Sequence, residues 1–116
     1  MYRSFGFYRR RPGMEMQAFI DHYESVHVPL VTRLVGAPPV YKRRYLLRGG
    51  GSDPTVPGLG FDVMTEVAFA DKAGFKAWMA KLSAPGVAEV IAADEARFLD
   101  PSPSWAYAIE EHGTEG

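Results

Sequence analysis

The sequence predicts an α+β domain whose four-stranded antiparallel sheet carries helices on one face. Three observations predict it. Short aromatic or alternating runs that suit strands lie at 2–9, 40–47, 61–69 and 104–110. Runs with apolar residues at the 3.6-residue period separate the first strand from the second and the third from the fourth. Between the second and third strands there is only a turn-rich loop. The order is therefore βαββαβ.

Residues 2–9, YRSFGFYR, are aromatic-rich, and Arg10-Arg11-Pro12-Gly13 then turns the chain. Residues 15–35 place Met16, Phe19, Ile20, Tyr23, Val26, Leu30, Val31 and Leu34 at helical spacing; Gly36 to Pro39 stop that helix. Residues 40–47, VYKRRYLL, form a second strand interrupted by charge. Residues 48–60 hold five glycines and two prolines, so a mobile connecting loop is expected there. No Gly-Lys-Ser/Thr closes it, which excludes a phosphate-binding loop. Residues 61–69 alternate: Phe61, Val63, Thr65, Val67 and Phe69 share one face, and Asp62, Met64, Glu66 and Ala68 the other. Asp71 is placed to cap a helix through Leu82, with Phe75, Trp78, Met79 and Leu82 on one side. Pro85 opens a further helical piece through about Arg97. Residues 104–110, SWAYAIE, complete the sheet, and the tail 111–116 is expected to fray.

This order is the split-βαβ, ferredoxin-like arrangement, here one domain over residues 1–116. The half-apolar second sheet face is costly to leave wet, so a homodimer that closes it into an α+β barrel is expected. The net charge of −1 lacks the basic excess of a nucleic-acid binder. Arg9–Arg11 and Lys42–Arg44 read as solvated strand ends. The absence of cysteine excludes disulfides and thiol chemistry and suits the cytoplasm. No apolar run reaches the ~20 residues of a membrane span, and Met1–Phe5 lacks a signal-peptide apolar region.

The chemistry-bearing residues come from helical phase. On a wheel at about 100° per residue, His27 falls about 20° from Met16, at the centre of the apolar face, whereas His22 falls outside it. Pro29 removes a backbone donor and predicts a kink just after His27. In the last helical piece Asp94 falls inside the stripe of Val87, Val90, Ile91 and Phe98, with Glu95 at its margin. Buried charge is costly unless paired, so His27 and Asp94 are expected to share a polar pocket. A metal site needs two or three converging ligands. His27, Asp94 and Glu66 would supply them only if the fold joined them, and neither metal nor cofactor is expected.

Two segments carry a resemblance: Phe19-x3-Tyr23-x3-His27-x-Pro29-Leu30, and Ala93-Asp94-Glu95-x2-Phe98-Leu99-Asp100 after Phe61-Asp62. They resemble the EthD-like proteins of the dimeric α+β-barrel superfamily. One departure is Glu24, where relatives often carry tryptophan. The resemblance implies a ferredoxin-like homodimer. Its relatives include a protein tied to degradation of an ether fuel additive and decarboxylases or dehydratases of aromatic polyketide intermediates. Cofactor-free oxygenases and haem-degrading enzymes are more distant cousins.

The expected function is a cofactor-free lyase, dehydratase, decarboxylase or cyclase acting on a small hydrophobic, aromatic or polyketide-like molecule, or in xenobiotic degradation. His27 would be the general acid/base and Asp94 its orienter. Tyr23 and Glu95 would position substrate, and Phe5, Phe7, Phe61 and Trp78 would wall the pocket. One alternative is a non-catalytic accessory protein that binds the ligand for a partner oxygenase. Another is an oxygenase of the same barrel type, with His27 as the candidate axial ligand if haem is used.

Overall fold

The computed structural model describes residues 1–47, 60–102 and 104–116. Its elements are β1 (Tyr2–Tyr8), α1 (Met16–His22), a π-helical turn (Tyr23–His27), α2 (Val28–Val35), β2 (Val40–Tyr45), β3 (Val63–Phe69), α3 (Lys72–Leu82), α4 (Val87–Phe98) and β4 (Trp105–Ile109). The sheet runs β2-β3-β1-β4, and every neighbouring pair is antiparallel. This is the expected ferredoxin-like order. The loop expected at 48–60 lies, apart from Gly60, outside the described residues.

Strand ends differ from the sequence reading in a way that matters. β3 starts at Val63, because Asp62 is a corner residue. Its N–H donates to the Tyr8 carbonyl at 2.9 Å, and its carboxylate accepts the Arg10 N–H at 2.8 Å. The register fixes which side chains share a face. Phe5 pairs with Glu66 and Tyr107, and Phe7 with Met64 and Trp105. Those residues therefore form the outer face, away from the helices. Ser4, Gly6 and Tyr8 of β1 alternate onto the inner face with Val63, Thr65, Val67 and Phe69 of β3.

The core lies between the inner face and the helices. One cluster holds Phe19, Tyr23, Val63 and Phe98; a second holds Val31, Val35 and Ile91. Phe19, Val63 and Phe98 are fully buried. Each such side chain contributes about 1.5–3 kcal/mol from burial alone. On the outer face the buried Glu66 accepts hydrogen bonds from Arg3 at 2.5 Å and Arg44 at 2.9 Å. Burial pushes its carboxyl up, but the two guanidiniums outweigh that and hold it below the usual carboxylate range.

The α3 helix is anchored at its start and lightly held along its length. The Asp71 carboxylate accepts the Gly74 N–H at 2.9 Å, as an N-cap should. Yet none of its residues is fully buried. The Trp78 indole N–H donates to the Gly36 carbonyl at 3.1 Å. Few buried contacts mean a low cost of local opening. Hydrogen exchange is therefore expected to be faster in α3 than in α4, which buries Ile91, Asp94 and Phe98. Slower exchange in α3 would contradict that ranking.

Candidate functional site

The π turn builds the site. Pro29 has no N–H, and its ring crowds the carbonyl four residues back. The helix ahead of it widens: the Val28 N–H reaches the Tyr23 carbonyl, five residues away. The predicted kink is thus a change of pitch that begins before His27. In an α-helix, residues five apart are about 140° apart around the axis. The wider turn closes much of that angle and brings His22 and His27 to the same side.

Both histidines then meet one carboxylate from α4. The His27 Nδ1–H donates to Asp94 Oδ2 at 2.9 Å, and the His22 Nε2–H donates to Asp94 Oδ1 at 2.9 Å. Both rings lie against Phe98, with centroids 4.8 Å away for His22 and 4.9 Å for His27. His27 is 7% exposed and Asp94 4%. The pairing inferred from helical phase is present, and His22 is an addition that the sequence reading placed outside the site. Its signal was the five-residue spacing to His27 beside Pro29.

His27 lines a cavity of about 180 Å³ between the inner sheet face and the helices. Tyr23, Glu95 and Trp78 line it too, with Tyr8, Tyr41, Thr65 and Phe98. Phe5, Phe7 and Phe61 do not wall it. Phe5 and Phe7 point outward by register; the Phe61 ring packs on Phe7, centroids 4.9 Å apart. Two inner positions of β1, Ser4 and Gly6, instead carry small residues, and this leaves the space. A Cβ at Gly6 would collide with the Tyr8 phenol. Glu66 also faces outward, so it cannot join His27 and Asp94 around a metal. Among the described residues no group of three His, Cys, Asp or Glu side chains could hold one. Haem does not fit either. The cavity lies below the roughly 300–1,000 Å³ of drug-sized pockets, and the porphyrin is larger than such ligands.

Electrostatics set the protonation states. Burial lowers the His27 pKa below the ordinary histidine value, against the opposing pull of Asp94. The ring is neutral at pH 7, and with Nδ1–H held by Asp94 its Nε2 keeps a lone pair. Burial raises the Asp94 carboxyl, but hydrogen bonds from His27 and His22 outweigh this and keep it low. Glu95 moves the other way: burial and the neighbouring Asp94 charge raise it. The Tyr23 hydroxyl shares a 2.6 Å hydrogen bond with Thr65, and burial holds its phenol well above the ordinary value. Its ring stands edge-on to His27 at 5.5 Å. Burial pushes Tyr41 up to about 12. Among the described residues, no lysine or arginine lines the cavity. A neutral imidazole, an easily protonated carboxyl and neutral phenols around an apolar space can move a proton on an uncharged molecule.

Glu24, the departure noted above, is used elsewhere. It accepts from Arg43 Nε at 2.9 Å and from the Tyr45 hydroxyl at 2.5 Å, tying the π turn to β2.

The EthD domain model matches residues 11–102 and so includes both histidines and Asp94. The chain belongs to the EthD domain family. Solved structures agree on this EthD fold. An ethyl tert-butyl ether degradation (EthD) family protein from Bacillus halodurans superposes with a TM-score of 0.61 at 20% identity, covering 97% of this chain and 100% of that one. HapK from Hahella chejuensis gives 0.59 at 13% identity, covering 100% and 99%. A dimeric protein of ferredoxin-like fold from Bacteroides fragilis gives 0.54 at 7% identity, covering 93% and 95%. No curated protein matches this EthD sequence significantly. Among the described residues of the EthD domain no helix is long and apolar enough to cross a membrane.

Proposed function

We propose that this EthD domain is a cofactor-free acid–base catalyst of the lyase, dehydratase or cyclase kind, acting on a neutral aromatic molecule of about one ring. His27 is the general base through Nε2. Asp94 orients its ring and stabilises the cation it becomes. Glu95 is the proton donor, and Tyr23 holds the His27 ring from its edge.

The observation that carries this reading is a buried neutral imidazole, oriented by a carboxylate, in the lining of a cavity where no described cation stands. Size supports the substrate class: an apolar cavity of about 150 Å³ takes benzene, and this one is about 180 Å³. Charge supports it too, because a carboxylate substrate would be buried without a cation, at several kcal/mol. Decarboxylation is thereby the least favoured of the lyase reactions. The ether-degradation name of the Bacillus halodurans relative fits a role in xenobiotic degradation.

Fluorescence tests the substrate class, since Trp78 lines the cavity. 4-Ethylphenol is expected to change the emission saturably at pH 7.5, at least about tenfold more tightly than 4-ethylbenzoate, at ~1.4 kcal/mol per factor of ten. The response should vanish in Trp78→Phe. Equal or tighter binding of the benzoate contradicts the neutral-ligand reading.

We also propose a homodimer through the outer sheet face. Trp105 is 49% exposed and Tyr107 56%, beside Phe5, Phe7 and Met64. Such a patch marks an interface. Sedimentation at micromolar concentration is expected to give twice the 12.8 kDa chain mass, and a clean monomer contradicts the barrel.

A further inference from the structure

We propose that His22 is a positioning residue for His27: by donating to the second oxygen of Asp94, it locks that carboxylate and holds His27 in the tautomer whose Nε2 serves the cavity. This rests on the reading of His27 as the base.

The geometry supplies the argument. A carboxylate with one partner can rotate and offer either oxygen. Here each oxygen is engaged, at 2.9 Å, by a different ring. Phe98 backs both rings, stacking on His22 with planes 28° apart. The two histidines are unequal in access. The His22 side chain is 18% exposed and that of His27 8%, so only His27 is sealed among the cavity walls. His22 is absent from the cavity lining. It therefore acts on the chemistry through Asp94.

Among the described residues, these titratable groups share the cavity wall with His27 or bond to it. Tyr23 comes from its own turn, Tyr8 from β1, Tyr41 from β2, and Asp94 and Glu95 from α4. Arg33 and Arg97 line the groove on the far side of Asp94 with Ser25, Pro29 and Val90. After burial and the opposing Asp94 contacts, His22 itself adds to the downward pressure on the His27 pKa. Removing it is expected to shift the His27 titration to higher pH. Base catalysis, which needs neutral His27, would then lose its acid-side range: the falling limb moves to higher pH.

The test pairs a donor-less variant with one that keeps a donor. In His22→Phe the aromatic stack remains and the hydrogen bond goes; His22→Gln keeps an N–H for Asp94. Nitrogen-15 NMR of the His27 ring reads tautomer and titration without any substrate. Wild type is expected to show a single Nδ1–H tautomer. His22→Phe is expected to show mixed tautomers and a later titration, with turnover reduced by up to about 10²-fold. His22→Gln should restore the single tautomer. His22→Leu replaces the phenylalanine variant if that one does not fold. A His27 tautomer unchanged in the donor-less variant overturns the proposal, as does equal disturbance in His22→Gln. Because the NMR arm needs no turnover, loss of the catalytic reading alone would leave its result standing.

Discussion

His27→Gln is expected to lower turnover by about 10²–10⁴-fold while the protein folds and binds its ligand. Glutamine keeps an N–H for Asp94 but has no group that takes up a proton near neutral pH. Asp94 would remain ionised and still paired to His22 at its other oxygen. Binding should stay within a few-fold, because only one polar contact to the ligand changes. Asp94→Asn is expected to lose less, since it removes an orienter and leaves the proton carrier. The pH dependence has a fixed sign. The His27 pKa is lowered on folding, so neutral His27 is retained through 6.5 and lost only as pH falls further. The same shift stabilises the fold above pH 6.5, and that contribution disappears as pH falls through the lowered pKa. Comparison of kcat with ligand affinity in folded His27→Gln protein checks the claim. Undiminished kcat would remove His27 as the base.

Phe98→Ala is expected to cost about 3–5 kcal/mol of stability. The Phe98 ring is fully buried and joins Phe19 at 5.8 Å, Tyr23 at 5.4 Å, and both histidines. Truncation leaves a void and takes the seat from under both imidazoles. The hole also opens into the existing cavity, so collapse cannot fill it cheaply. Guanidinium unfolding measures the loss. A change below about 1 kcal/mol would mean that the two histidines and Asp94 hold this corner without the ring, well short of the usual range for such truncations.

Much of this was legible in the sequence, for identifiable reasons. Element order followed from period, and Asp71 announced its cap. His27 and Asp94 stood out because each falls on an apolar stripe where an ionisable group is costly. The π turn was not legible. A wheel advancing at constant pitch carries no information about local widening, so it sets His22 on the wrong side. Phe5 and Phe7 escape the sequence pattern for a different reason. Their size suggested an inner wall, but strand parity is set by pairing with β3, and Phe5 opposite Glu66 faces outward. The cavity exists because Ser4 and Gly6 occupy the inner positions, and small residues give little periodic signal.

The most direct measurement of the central claim is proton exchange into deuterium oxide at the methyl group of acetophenone, a neutral one-ring ketone of the proposed class. Proton NMR follows loss of the methyl signal with wild type, with His27→Gln, and with imidazole buffer alone. Catalysis by a base in the cavity predicts exchange faster with wild type than with the other two, saturating in acetophenone and inhibited by 4-ethylphenol. Equal rates for wild type and His27→Gln would contradict it.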